Sequence, residues 1–231
     1  MENNEVIKTE QNQPKKVANN YEDFDTYYDN RQTALVNASD PEVEPLLTAA
    51  DYPPPIIAAK LTELEALKKL SDDQKKEYGE QYEATKNYNE LANGLHPNYL
   101  THVNFGKLIF KDNIAATKVL GLDGRRKQAE MAYCNQALDF YTNGLSNATY
   151  KAAINKRGIT DADLTAGKTG YTNLKAMIPV KTKETGEAQQ ATSKRDAAWE
   201  TFEDWFVEFK KYAVLALSGT PQLREKLGWK E

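Results

Sequence analysis

A pair of glutamates three residues apart occurs twice in this chain, as Glu77 and Glu80 in EYGE and as Glu184 and Glu187 in ETGE. Residues at that spacing share one side of a helix, and four carboxylates brought together could hold a hard divalent ion through oxygen. Di-iron sites in helical bundles pair a glutamate with a histidine three residues on, and neither copy has a histidine nearby. The alternative is structural. Gly79 and Gly186 would let two helices approach closely, Thr85, Ala188 and Thr192 would line the seam, and the glutamates would be solvated.

The other chemically capable residues are sparser. His96 and His102 are six apart, so they fall on different helix faces; His102 lies on the apolar seam, where a hydrogen-bonded core histidine is expected. AGKTG at 166 to 170 resembles a phosphate loop but has alanine at 162, where GxxxxGKS/T needs glycine, and no strand precedes it. Cys134 is the sole cysteine, so no internal disulfide and no zinc cluster can form, and a buried free thiol is expected. Arg125, Arg126 and Lys127 form the densest basic run, placed between the repeats described below at the start of a helix; a solvated helix start is the expected reading, and an anion or an acidic partner binding there is the alternative. Trp205 and Tyr212 lie to one side of an aromatic stripe with Trp199, Phe202, Phe206 and Phe209, and could continue it into a partner chain or a third layer. No nucleophile is paired with a base, so no catalytic set and no cofactor are expected.

These residues sit on an internal repeat. A shift of 107 aligns Glu77, Gly79, Glu80, Ala84, Thr85, Leu108, Leu120 and Gly121 with Glu184, Gly186, Glu187, Ala191, Thr192, Leu215, Leu227 and Gly228, without a gap. Ile57, Leu64, Leu67, Tyr78, Leu95, Tyr99 and Ile109 keep a three-four spacing. Leu164, Tyr171, Leu174, Ile178, Ala188, Thr192, Trp199, Phe202, Phe206, Phe209 and Ala213 do the same in the second copy, so each repeat carries a helical face of about 50 residues, roughly 80 Å long. Ser71 with Gln74, and Pro179 near the equivalent point, predict a kink or break, with helices resuming at about 72 and 179. Pro97 predicts a bend; its counterpart, Asp204, does not.

Shorter amphipathic helices precede the long faces, with Tyr21, Phe24, Tyr28 and Leu35 in one copy and Met131, Cys134, Leu138, Tyr141 and Leu145 in the other. Small helices or loops follow at 41 to 50 and 147 to 157, then PPP at 53 to 55 and Gly158 before a Thr160 N-cap. VLGL at 119 to 122 and KLGW at 226 to 229 end the copies with a helix-capping glycine. The expected fold is therefore all-α: an elongated, antiparallel, pseudo-two-fold bundle with long coiled-coil-like helices. Residues 1 to 19 form a polar tail, 20 to 122 repeat one and 123 to 231 repeat two, with both repeats in one bundle.

The strings ATSKRDAAWETFEDWFVEFKKYAVLALSGTPQLREKLGW, EYGEQYEAT and LGLDGRRK resemble an uncharacterised family of two-repeat, all-helical bacterial proteins. The resemblance covers residues 20 to 231 and implies the fold; it carries no activity and no site residue, and Pro97 departs from it.

With 30 Lys and Arg against 34 Asp and Glu the net charge is -4, and the mean hydropathy is -0.74. No basic stripe suits nucleic acid. No apolar run approaches the length of about 18 residues that a membrane span needs, and no secretory signal opens the chain, so a cytoplasmic protein is expected. Its partners would be other protein chains, itself included, which makes a non-catalytic structural or interaction protein the leading expectation. A small-ligand or divalent-metal bundle with a site at Glu77, Glu80, Glu184 and Glu187 is the alternative.

Overall fold

The computed structural model describes residues 23 to 229, so the tail at 1 to 19 and Tyr21 lie outside the described residues. The chain is all-α, with no strand among the described residues. In order the helices are α1 (Phe24–Asn37), α2 (Glu44–Ala49), α3 (Pro54–Ile109), α4 (Ile114–Val119), α5 (Glu130–Ser146), α6 (Ala148–Asn155), α7 (Asp161–Ala216) and α8 (Pro221–Lys226). The helices α3 and α7 have 56 residues each, and α7 begins and ends 107 residues after α3 (161 - 54 = 107; 216 - 109 = 107). The short α8 follows α4 by the same interval (221 - 114 = 107).

The local signals explain where the helices start and stop. Thr160 and Asp163 cap each other reciprocally, through Thr160 N to Asp163 Oδ2 at 2.8 Å and Asp163 N to Thr160 Oγ1 at 3.2 Å, which starts α7 at Asp161. Gly121 and Gly228 follow α4 and α8 at φ of 59° and 80°, a region open to glycine at little cost.

Both long helices run unbroken through the points where a break was expected. Ser71 is buried inside α3 rather than capping a helix, and the Gln74 side chain instead accepts a hydrogen bond from Arg195 Nη1 at 3.2 Å. Pro97 and Pro179 lie within α3 and α7 on exposed positions, so each ring projects into water. Asn93, whose carbonyl loses its partner at Pro97, is exposed as well, and water can replace that bond.

The described chain forms two compact units. One runs to Lys68 and resumes at Thr201; the other is Lys69 to Glu200. Each therefore draws on both halves of the chain. In the first, Tyr52, between α2 and α3, packs on Trp205, Phe209 and Tyr212 with ring centroids 6.2, 5.1 and 6.1 Å away. The Lys226 ammonium ties α8 to Asp40 at 3.0 Å and Glu42 at 2.7 Å. In the second, α5 and α6 close over α3 and α7 around Tyr99, Cys134, Phe140, Tyr141, Ile154, Leu164 and Tyr171. Cys134 is a buried free thiol. The two long helices pack antiparallel there: Gln74 meets Arg195, Lys181 lies 4.2 Å above the Tyr88 ring, and Tyr99 touches Tyr171.

The expected seam holds at Ile57, Leu64, Leu67, Tyr99, Tyr171, Leu174, Phe202, Phe206, Phe209 and Ala213, all buried. Tyr78 departs from it, at 61% exposed. At this level of α3 Glu77 and Gln81 are half-buried instead.

Gly79 and Gly186 do not serve close helix approach. A Cβ at either would meet nothing within 4 Å. The tightest glycines are those of AGKTG: a Cβ on Gly167 would fall on the Tyr141 ring, and one on Gly170 on Leu95. Their purpose is to seat α7 against α5 and α3.

Candidate functional site

In the Lys69 to Glu200 unit, α3 and α7 bring Glu77, Glu80 and Glu184 together, with one carboxylate oxygen from each within 4.8 Å of the others. Glu187 lies outside that group. Contrary to the solvated reading, Glu77 and Glu184 are half-buried. Lys76 pairs with Glu77 at 3.8 Å and Glu80 at 3.2 Å; its counterpart 107 residues on, Lys183, pairs with Glu184 at 3.2 Å and Glu187 at 2.7 Å. The hydrogen bond to Glu80 raises the Lys76 pKa, and that to Glu187 raises the Lys183 pKa. Four carboxylates against two ammonium groups leave a local charge of -2 before any ion arrives. A hollow of about 380 Å³ adjoins them, bounded by Asp73, Glu77, Glu187, Gln190 and Lys194.

A different surface was missed. Leu108 is 71% exposed, and Leu215, its equivalent at the 107-residue shift, is 69% exposed. Three residues earlier on the same helix side, Phe105 is 40% and Tyr212 is 49% exposed. Near the end of each long helix a half-exposed aromatic ring and an exposed leucine thus share one side, Tyr212 keeping its contact with Tyr52. The signal in the sequence was the Leu108 and Leu215 identity at the 107-residue shift, which says nothing of burial.

The remaining sequence candidates find partners within their own unit. Trp205 is covered by Tyr52 and stacks on Phe209 at 5.2 Å, with Lys60 Nζ 5.2 Å from the ring centroid, so it serves a third layer of this chain. Arg126 donates to the Tyr99 hydroxyl at 2.7 Å and to the Gly121 carbonyl at 3.2 Å, fastening the segment that leads to α5. Arg125 is exposed, and this basic run precedes α5 rather than opening it.

Both histidines meet α5 tyrosines: His96 Nδ1 lies 2.6 Å from the Tyr133 hydroxyl and His102 Nδ1 lies 3.1 Å from that of Tyr141. Burial lowers the His102 pKa below its ordinary 6.5, against a smaller opposing pull from Asp163. The folded state therefore binds fewer protons at this site than the unfolded chain. Its stability contribution is complete above the unfolded pKa and falls as pH drops through and below about 6.5. Melting curves from pH 7.5 to 5 should show a steeper loss for the parent than for His102→Asn; equal slopes would contradict this assignment.

No family model, no curated protein and no solved structure matches the chain. Among the described residues no helix is long and apolar enough to cross a membrane.

Proposed function

We propose that this chain is a non-catalytic interaction protein, a subunit or adaptor of a larger assembly, which docks other protein chains, copies of itself included, through Phe105 with Leu108 and Tyr212 with Leu215. The carrying observation is that one leucine is retained at equivalent positions of two diverged repeats while both copies face water. Two other retained pairs have folding reasons: Leu120 and Leu227 are buried, and Gly121 and Gly228 take positive φ. A solvent-facing leucine gains nothing on folding, but covering it with a partner is worth about 1.5–3 kcal/mol. Two such faces on one chain would add avidity.

The test is Leu108→Glu with Leu215→Glu. Because both side chains are exposed, folding stability should stay within about 0.5 kcal/mol of the parent. Association, followed by light scattering and by co-purification, should be lost in the double variant and weakened in each single one. Association unchanged in the double variant would refute the docking role.

A second reading is favoured by the convergence of Glu77, Glu80 and Glu184: a divalent cation bound through carboxylate oxygen in place of the lysine contacts. Saturating Mn²⁺ or Ca²⁺ would then raise the melting temperature of the parent but not of Glu184→Gln. No shift with either ion would dismiss it.

A further inference from the structure

The Leu108 and Leu215 faces carry opposite charge. From Phe105 to Val119 the charged residues are Lys107, Lys111, Lys118 and Asp112, all exposed, which sum to 3 - 1 = +2 in a chain whose net charge is -4. Lys111 lies 3.8 Å from Asp112, its neighbour in sequence, and both side chains remain largely in water. Ile114, on α4, adds a further apolar side chain to this end, at 73% exposed.

The Leu215 face reads the other way. Asp204, Glu208 and Tyr212 follow one another at intervals of four on α7, so they share one side of the helix, and both carboxylates are exposed. Asp51 joins them: the Tyr52 ring packs on Tyr212, burial raises the Tyr52 pKa, and the charges of Glu208 and Asp51 push it the same way. Lys211, four residues before Leu215, is the opposing cation on this side of α7, whereas Lys210 is turned to the Trp229 ring, 5.4 Å from its centroid. These groups sum to 1 - 3 = -2.

The charges do not recur with the apolar pairs. At the 107-residue shift Lys107, Lys111 and Lys118 correspond to Val214, Ser218 and Glu225, and Asp204 and Glu208 correspond to Pro97 and Thr101. A contact between two Leu108 faces would set lysine against lysine, and one between two Leu215 faces carboxylate against carboxylate. Only unlike faces bring apolar side chains together with opposite charges around them, and complementary charge of this kind selects the partner and the register of an interface.

We propose that the Leu108 face of one chain docks on the Leu215 face of a second copy of the same chain, with Lys107 and Lys111 meeting Asp204 and Glu208. The inference rests on the docking reading above and names the partner. The contact is heterologous, so each chain offers one half of it at each face.

Two charge inversions test it. Lys107→Glu with Lys111→Glu makes both faces acidic, and Asp204→Lys with Glu208→Lys makes both basic. The four side chains are exposed, so both variants should melt close to the parent. In sedimentation at low salt, each variant alone should associate at least about tenfold more weakly than the parent, and added salt should weaken the parent itself. An equimolar mixture of the two variants should recover association, because every inverted face then meets a native face of opposite sign. Either variant associating alone as the parent does, or a mixture that recovers nothing, would overturn the proposal. Association lost in Leu108→Glu with Leu215→Glu yet indifferent to both inversions would overturn this pairing and leave the docking reading standing. A parent that stays monomeric, or that associates only with a different protein, would overturn it as well.

Discussion

Tyr99→Ala is expected to lower the unfolding free energy by about 3–5 kcal/mol, the usual cost of truncating a fully buried aromatic ring. The Tyr99 side chain is fully buried at the centre of a cluster, with Tyr171, Tyr133, Tyr141 and Phe140 at centroid distances of 5.2, 5.6, 5.9 and 6.4 Å. It belongs to α3, while its neighbours belong to α5 and α7, so one ring joins three helices. Its hydroxyl holds Arg126, and burial pushes the phenol pKa up to about 12, so the group stays neutral at physiological pH. Truncation therefore opens a cavity and strips a half-buried guanidinium of an acceptor. Tyr99→Phe keeps the ring and should cost about 1–2 kcal/mol. Urea unfolding of both variants measures the difference; a loss below about 1 kcal/mol for alanine would mean the cluster is not the packing centre of its unit.

The second large effect is a contrast of sign. Gly167→Ala should destabilise by about 1–3 kcal/mol, because the added methyl falls on the Tyr141 ring. That ring cannot yield easily: it stacks on Tyr171 at 6.0 Å, meets Phe140 at 5.3 Å and bonds His102. Gly79→Ala and Gly186→Ala make the same chemical change in mid-helix with open space around the new carbon, and should each stabilise by about 0.5–1 kcal/mol. Thermal melts of the three variants decide it, and a uniform sign would contradict the packing described for α5 on α7.

The same glycines show what a single sequence conveys. Periodicity and capping are local, so the ends of α7 at Thr160 and the glycines after α4 and α8 were legible. So was the antiparallel pairing, because the seam residues recur at the 107-residue shift. Glycine in a helix is ambiguous without its neighbour: Gly79 and Gly186 look like contact points and face water, whereas Gly167, in a string resembling a phosphate loop, is the crowded one. Ser71 and Pro179 carry valid helix-start chemistry, yet packing of α3 on α7 overrides it. Trp205 and Arg126 looked available to partners because the groups that engage them, Tyr52 and Tyr99, are distant in sequence. The convergence of Glu77, Glu80 and Glu184 could be anticipated from the recurrence of the glutamate pair 107 residues on; their lysine partners and partial burial could not. The exposed pairs were hidden for the opposite reason, since a leucine at helical spacing is ordinarily core.

The proposed docking through Phe105 with Leu108 and Tyr212 with Leu215 requires that the chain not be alone where it works. The most direct measurement is a native mass spectrum of the full chain taken from the cells that produce it, at its own expression level. The expected result is a mass above the 26.0 kDa of one chain, which returns to that value in Leu108→Glu with Leu215→Glu. A solitary 26.0 kDa species in the parent, unchanged across the micromolar range, would contradict the assembly role.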